Sequence, residues 1–470
     1  MKKHLFALLT ILVFVATGIT ACVQQPTAQS TPESTMTTFP AKTPVLTTPE
    51  PTSSGPEIKV DIKALDGIQI QFLHPWVGEP QTELIQMVDQ FNQTNEWGIH
   101  VIMNAPGSAA MVTSKVWEEI ANDNPSNVIV APISLLLAID EREKLVVDLQ
   151  PYVNSPGFGL KTAETEDYTP IFWGEDLVAG KRLGIPAQRS ALLMAYNTTW
   201  AGELGFTAPP QTAEEFRNQV CAANASFRKD EDETNDGLGG WLVNTDAPVV
   251  YSWMVAFGAV PFSNDGYVFN NSADEEAFTY LLDLKTDSCA WVSRTTQDAE
   301  YFASRKALTY ALWMQDLRAL DDTLQRNASE DQWTVIPWPG NDEQPVVTAG
   351  SSYAVLHNSP EEDLASWLFI RWLSQPAQQD RLLQTFGTLP LGNAVLQLIG
   401  NTAEFPQWQT AIHYSDLFIT QPVDADWQAV SPVLEDAGWQ LLMTEVTAEQ
   451  IPTLLEQMDA LATELTERYP

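Results

Sequence analysis

Between residues 68 and 132 the spacing of apolar side chains changes from strand-like to helix-like and back twice, which narrows the fold more than any other feature of the chain. The run 68–72, IQIQF, alternates and stops at the loop residues 74–79, HPWVGE. Next, 83–92, ELIQMVDQFN, sets Leu84, Met87, Val88 and Phe91 on one helical face. Residues 99–103 read as a second strand ended by NAPGS, 110–121 as a second helix, and 127–131, NVIVA, as a third strand closed by Pro132. This order predicts a parallel sheet with crossover helices on both faces. Ligands on such sheets gather beyond the carboxyl ends of the strands, where residues 74–79 and 104–108 lie.

A second set of elements follows Pro186. ALLMAY at 191–196 is strand-like, and 209–223 is a helix opened by Thr212 with Glu215 three residues on, a capping box. Strand and helix candidates continue at 240–244, 278–285, 306–312 and 333–337, then a strand at 346–356 and a Trp/Phe-rich helix at 360–374. The stretch 447–468 is amphipathic, with Ile451, Leu454, Leu455, Met458, Leu461 and Leu465 on one side. Residues 57–470 are long enough for two α/β domains or one large bilobal one.

The chain begins differently. Lys2 and Lys3, an apolar run at 5–15 and small residues at 18–21 predict an export signal over 1–21. Residues 19–22, ITAC, resemble the bacterial lipobox, in which Cys22 becomes the acylated first residue of the mature protein; an ordinary secretory signal with a chance cysteine is the alternative. From Cys22 to residue 56 the chain is rich in Pro, Thr and Ser with no apolar period, the composition of a disordered linker. No later stretch reaches about 18 consecutive apolar residues, so the rest of the chain is not expected to cross a membrane.

With 61 acidic against 24 basic residues the formal charge is −37, a field that repels phosphate backbones and argues against nucleic acid as a partner. Beyond Cys22 the cysteines are Cys221 and Cys289, an even pair that reads as one disulfide in an oxidising compartment or as two buried thiols. The acidic run 229–240, KDEDETNDGLGG, fits an EF-hand loop from Asp232 to Gly237, but the twelfth position is Val243 where a bidentate acid is needed. A solvated turn is the better reading, and neither metal nor cofactor is expected.

Five stretches taken together resemble the extracellular solute-binding proteins of ABC importers, in the sugar-binding group that includes maltose-binding protein. They are FLHPWVGE at 72–79, LIQMVDQFNQTNEWGIHVIM at 84–103, GIPAQRSALLMAYNTTWAGELGFTAPPQTAEEF at 184–216, FASRKALTYALWMQDL at 302–317 and EEDLASWLFIRWLSQPAQQDRLLQTFGTLPLGNAV at 361–395. The resemblance implies an α/β protein of two lobes, each a sheet flanked by helices, with the ligand cleft between them. One lobe would be 57–188 plus 350–392, and the other 189–349 plus 393–470. The chain would cross near 186–190, return near 348–351 and cross once more after Leu391. A monomeric receptor, exported and tethered to the outer face of the membrane only by its lipid, would capture a small solute by hinge closure and hand it to the permease.

A sugar site needs flat aromatic platforms and side chains that both donate and accept hydrogen bonds. The chain has 16 tryptophans. Those at strand ends or beside polar groups are the candidates: Trp76 with Glu79 in the first loop, Trp173 in IFWGED, Trp253 on a helix, and Trp313 with Gln315 and Asp316 where the resembled family places a stacking aromatic. Gln188, Arg189 and Ser190 fall at the implied crossing. Ser190 stands where the maltose binder has an acid, which argues against maltose itself. Gly350 and Ser351 open the return strand with little bulk, suiting a backbone that approaches a ligand or a hinge. The rival class is a secreted glycoside hydrolase, but no GxSxG, HExxH, P-loop or dinucleotide fingerprint occurs, and with 61 acids a plausible carboxylate pair carries no weight. A binder of a non-sugar solute is the remaining alternative.

Overall fold

The computed structural model describes residues 58–263, 266–293, 297–341, 344–399 and 405–468. The predicted signal, Cys22 and the linker lie outside them. Strands β1 (Gln69–Leu73), β2 (His100–Asn104) and β3 (Val128–Ala131) pair in parallel in the order β3-β1-β2, joined by the helices Glu79–Thr94 and Ala109–Ala121. The first helix buries Leu84, Met87, Val88 and Phe91, the face its spacing marks out. All four residues of β3 are buried, as expected of a strand covered on both faces.

A hairpin of β4 (Leu177–Val178) and β5 (Lys181–Arg182) leads into β6 (Ile185–Asn197), thirteen residues that are almost all buried. Beyond it come β7 (Trp241–Val243), a hairpin of β8 (Phe262–Ser263) and β9 (Gly266–Tyr267), then β10 (Ala290–Val292), β11 (Thr309–Trp313), β12 (Trp333–Ile336), β13 (Val346–Val355) and β14 (Phe418–Thr420). The large sheet runs β10-β7-β11-β6-β13-β3-β1-β2, with β12 also on β6 and β14 also on β13.

Two strands join the parts of this sheet. β6 pairs with β11 and β12 through Leu192–Asn197 and with β13 through Ile185–Leu192, while β13 pairs with β3 through Ser352–Val355. The implied crossing at 186–190 and the implied return at 348–351 are therefore neighbours: Gln188 lies opposite Ser351, Arg189 opposite Gly350 and Ser190 opposite Ala349, with a bulge between Ser351 and Ser352. Bulges bend a strand locally. Gly350 sits here because nothing larger fits, since a Cβ would lie 1.9 Å from the Gln188 carbonyl oxygen.

Alternation along β6 feeds two cores. Leu192, Met194 and Tyr196 pack with Trp241, Trp253, Trp338 and the helices Trp427–Met443 and Ile451–Arg468, whereas Ala191, Leu193 and Ala195 face a cluster that holds both Phe72 of β1 and Leu312 of β11. A third cluster covers the other face of β1–β3 with Leu73, Val112, Ile129 and Leu136. One apolar layer thus continues across the crossing.

Cys221, on the helix Ala213–Phe227, is bonded to Cys289, just before β10, with Cα atoms 4.3 Å apart. The run 229–240 satisfies itself: the Asp232 carboxylate accepts from the backbone N–H of Thr234 at 3.0 Å and from its hydroxyl at 2.6 Å, and Asn235 donates to Asp230 at 2.9 Å. Among the described residues no cluster of His, Cys, Asp and Glu could hold a metal ion, and no helix is long and apolar enough to cross a membrane.

Candidate functional site

The strand crossing is held by one buried guanidinium. Arg189 is 1 % exposed and donates through Nε to Glu175 at 2.8 Å, through Nη1 to the carbonyls of Ser351 at 2.7 Å and Gln188 at 3.0 Å, and through Nη2 to Ser352 Oγ at 3.0 Å. Asp176, fully buried, lies 3.5 Å from Nη2 and accepts from the Ser352 hydroxyl at 2.7 Å. Burial pushes its carboxyl up to about 6, with the Arg189 charge opposing the shift. Its Nε, Nη1 and Nη2 donors are committed to Glu175, two carbonyls and Ser352. Arg189, expected to grip a ligand, is instead the clamp between β6, β13 and the 173–176 segment.

The cleft itself opens where β11 ends. After Trp313 the chain makes a short 3-10 turn, Met314–Asp316, and enters the helix Leu317–Arg326. Facing this turn are the ends of the helices Pro376–Phe386 and Asn393–Ile399 and the start of Pro406–His413. Between them lies a cavity of about 390 Å³ walled by Met314, Gln315, Leu317 and Arg318 on one side and by Leu383, Gln384, Gly387, Ile399, Phe405 and Trp408 on the other. That volume falls in the range of small-molecule sites, roughly 300–1,000 Å³. Gly387, at φ +65°, ends its helix in the left-handed conformation, and a Cβ there would lie 4.0 Å from the Gln315 backbone. Trp408 is fixed by its indole N–H, which donates to the Thr388 carbonyl at 2.9 Å.

Of the residues singled out in the sequence, Gln315 lines this cavity and Ser190 touches it indirectly, its hydroxyl donating to the Gln315 side-chain oxygen. Ser190 is buried at the crossing, so it orients Gln315 and does not itself face open space. Trp313 is half-buried at the edge of the core behind the turn, and Asp316 is exposed on the same turn; neither is part of the cavity wall. Gln188 borders a small recess with Leu383 and Phe386, next to the main cavity.

The others lie elsewhere. Trp76 is nearly buried, with its ring 5.0 Å from Phe386, 5.6 Å from His74 and 6.2 Å from Tyr353. It props the helix whose end walls the cavity. His74 below it is fully buried, and burial lowers its pKa to about 4, so at neutral pH it serves as an uncharged plate. Glu79 is exposed at the first turn of its helix, where a negative charge favours the helix dipole. Trp173 stacks on Tyr168 at 4.7 Å with the Arg182 guanidinium 3.7 Å above its ring, so its faces are already occupied. Trp253 has no exposed surface and packs edge-on to Phe216, Trp241 and Trp338, each at 5.3 Å; the expected cleft residue is core. Gly350 and Ser351 serve the crossing, one by lacking a side chain and one through its carbonyl.

Sequence reasoning missed Trp408, Phe405, Arg318 and the end of the helix Pro376–Phe386. The aromatic pair flanking Pro406 at a helix start is a usable signal, distinct from the tryptophans at strand ends.

A family model for bacterial extracellular solute-binding proteins matches residues 86–412, from the first helix through the far wall of the cavity. The chain belongs to that family. Solved structures agree on the fold of this solute-binding protein. The sugar-binding protein MalE from the phytopathogen Xanthomonas citri superposes with a TM-score of 0.72 at 18 % identity, covering 85 % of this chain and 99 % of that one. The cyclic alpha-maltosyl-1,6-maltose binding protein from Arthrobacter globiformis gives 0.70 at 17 %, covering 84 % and 99 %. UgpB from Mycobacterium tuberculosis, in complex with glycerophosphocholine, gives 0.70 at 15 %, covering 85 % and 98 %. A search of the curated proteins returned no match. At these identities the structural likeness establishes the two-lobed fold and no ligand.

Proposed function

We propose that this solute-binding protein captures a carbohydrate in the cavity beside Gln315 and Trp408 and delivers it to an ABC permease. The observation that carries the reading is the composition and place of that cavity. An indole and a phenyl ring share its lining with two side-chain amides, at the junction served by the β6/β13 crossing. Aromatic faces suit the C–H patches of a sugar ring, and amides donate and accept as its hydroxyls require. The lobes in this proposal are 57–188 plus 350–392 and 189–349 plus 393–470. The packing of the helix Asn393–Ile399 on Pro376–Phe386 and of the helix Pro406–His413 on β12 supports a last crossing after Leu391. Export and anchoring through an acylated Cys22, with residues 23–56 as tether, complete the proposal and rest on the sequence alone. The family is one of solute binders, and the cavity's described lining has no carboxylate pair to act as acid and base.

A second reading, a solute other than a sugar, is favoured by one observation: UgpB has the same fold and holds glycerophosphocholine. A thermal-shift screen of mono- and oligosaccharides separates the two, because a ligand at about 100 times its Kd adds roughly 2.7 kcal/mol of stability, enough to raise Tm visibly. The carbohydrate reading expects a saturable rise with at least one saccharide and unchanged saccharide recovered afterwards. A rise with glycerophosphodiesters alone, or cleavage of the saccharide, contradicts it.

A further inference from the structure

Arg318 is unusual among the arginines of this acidic chain. Nearly every described arginine is tied down: Arg142, Arg189, Arg217, Arg305, Arg326, Arg381 and Arg468 by carboxylates, and Arg182 and Arg228 by hydrogen bonds. Among the described residues, Arg318 and Arg371 have no ion pair, hydrogen bond or ring contact, and each lines a cavity. Arg371 shares its smaller cavity with Glu164 and Asp167, so negative charge already stands near it. Arg318 shares the cavity described above with amides and apolar groups, and no described carboxylate lines that wall.

The cavity's hydrogen-bonding balance is therefore tilted. A guanidinium offers five donors and no acceptor, and the amides of Gln315 and Gln384 add as many donors as they accept. One acceptor of Gln315 is taken by Ser190 and one donor of Gln384 by Asp380, which leaves the guanidinium as the source of the imbalance. A neutral saccharide, whose hydroxyls need acceptors as often as donors, would leave the guanidinium half-used. A carboxylate or sulfate would match it bidentately. The net charge of −37 does not forbid such a ligand, because at physiological salt charges beyond about 8 Å are largely screened; Asp321 and Asp322 follow one turn on along the same helix but line no part of the cavity wall.

We propose that the ligand is an anionic saccharide, with its carboxylate or sulfate on Arg318 and its sugar face toward Trp408 and Phe405. The proposal rests on the carbohydrate reading and sharpens it. Its test is isothermal titration of the purified protein with trigalacturonate, with the fully methyl-esterified trigalacturonate that keeps the skeleton and loses the charge, and with a sulfated galactose disaccharide. The acid is expected to bind about tenfold or more tighter than the ester, the range of a hydrogen-bonded charge pair. R318A should erase that preference and R318K keep part of it, with Tm of the free protein unchanged because the side chain is exposed. Tighter binding of the sulfated sugar than of trigalacturonate, with the same dependence on Arg318, assigns the anion as sulfate and supports the proposal. Equal or tighter binding of the ester, or a preference that survives in R318A, overturns it. If neutral saccharides bind while every anionic one fails, the inference falls and the carbohydrate reading stands. If no saccharide binds, both fall.

Discussion

Replacing Arg189 with alanine is expected to cost about 3–5 kcal/mol of stability at pH 8, the usual penalty for stranding a buried charge. The guanidinium is enclosed by Glu175, Asp176 and Ser352 and by two carbonyls, and it ties three chain segments at the crossing. Removing it leaves buried Asp176 without its nearest counter-ion, only the more distant charge of Arg182 remaining. The sign of the pH dependence follows. Asp176 has its folded-state pKa raised from 3.8 to about 6, so its folded form holds the proton more tightly than its unfolded form. A group of that kind favours the fold at low pH and loses this contribution as pH rises through its folded value. Without Arg189 the pKa climbs further, because the charge that was holding it down is gone. Chemical denaturation of R189A should therefore show a deficit that is largest at pH 8 and shrinks toward pH 5, where a neutral carboxyl tolerates burial. A deficit below about 1 kcal/mol, or one that grows on acidification, would show that the guanidinium is not the clamp. A direct ligand contact by Arg189 would instead reduce affinity while leaving stability intact.

Trp253 gives the second large effect. Its ring has no exposed surface and sits among Phe216, Trp241, Tyr280 and Trp338 with centroid distances of 5.3–5.5 Å. Its indole nitrogen has no hydrogen-bond partner, so packing alone holds it. W253A removes that packing and leaves a cavity that the flanking rings cannot close, at an expected cost of about 3–5 kcal/mol. Phenylalanine in its place should recover part of the loss. The measurement is again denaturant unfolding, paired with ligand affinity in the fraction that stays folded. Unchanged stability with abolished binding would return Trp253 to the cleft, where the sequence suggested it.

That misplacement shows where sequence reading reaches its limit. The parallel β1–β3 unit was legible because alternation and helical spacing are local, and Leu84, Met87, Val88 and Phe91 bury the face their positions mark. The helix nevertheless starts at Glu79, four residues before its apolar pattern, because Gly78 at φ +69° and Pro80 set its entry. The helix Ala247–Ala256 carried a readable warning: APVVYSWMVA is apolar on nearly every side, and nine of its ten residues are buried. An all-round apolar helix belongs in a core, and a tryptophan on it follows. The two stretches expected at the crossing lie side by side, Arg189 opposite Gly350, and the Arg189 guanidinium is enclosed by protein groups, since a residue near a cleft can face the strand pairing as well as the ligand. The cavity wall was least legible. Arg318, Leu383 and Trp408 come from separate parts of the chain and meet only through tertiary packing, which no local period encodes.

In the proposed function β6 and β13 form the hinge of a grasping molecule, with a few residues at the crossing absorbing the rotation. A ligand that touches both sides of the cavity only when the lobes close biases the pair of states by its differential affinity. Small-angle X-ray scattering of the protein alone and saturated with the saccharide found by thermal shift measures this most directly. A smaller radius of gyration with ligand bound is the predicted result. An identical scattering curve at proven saturation would contradict it.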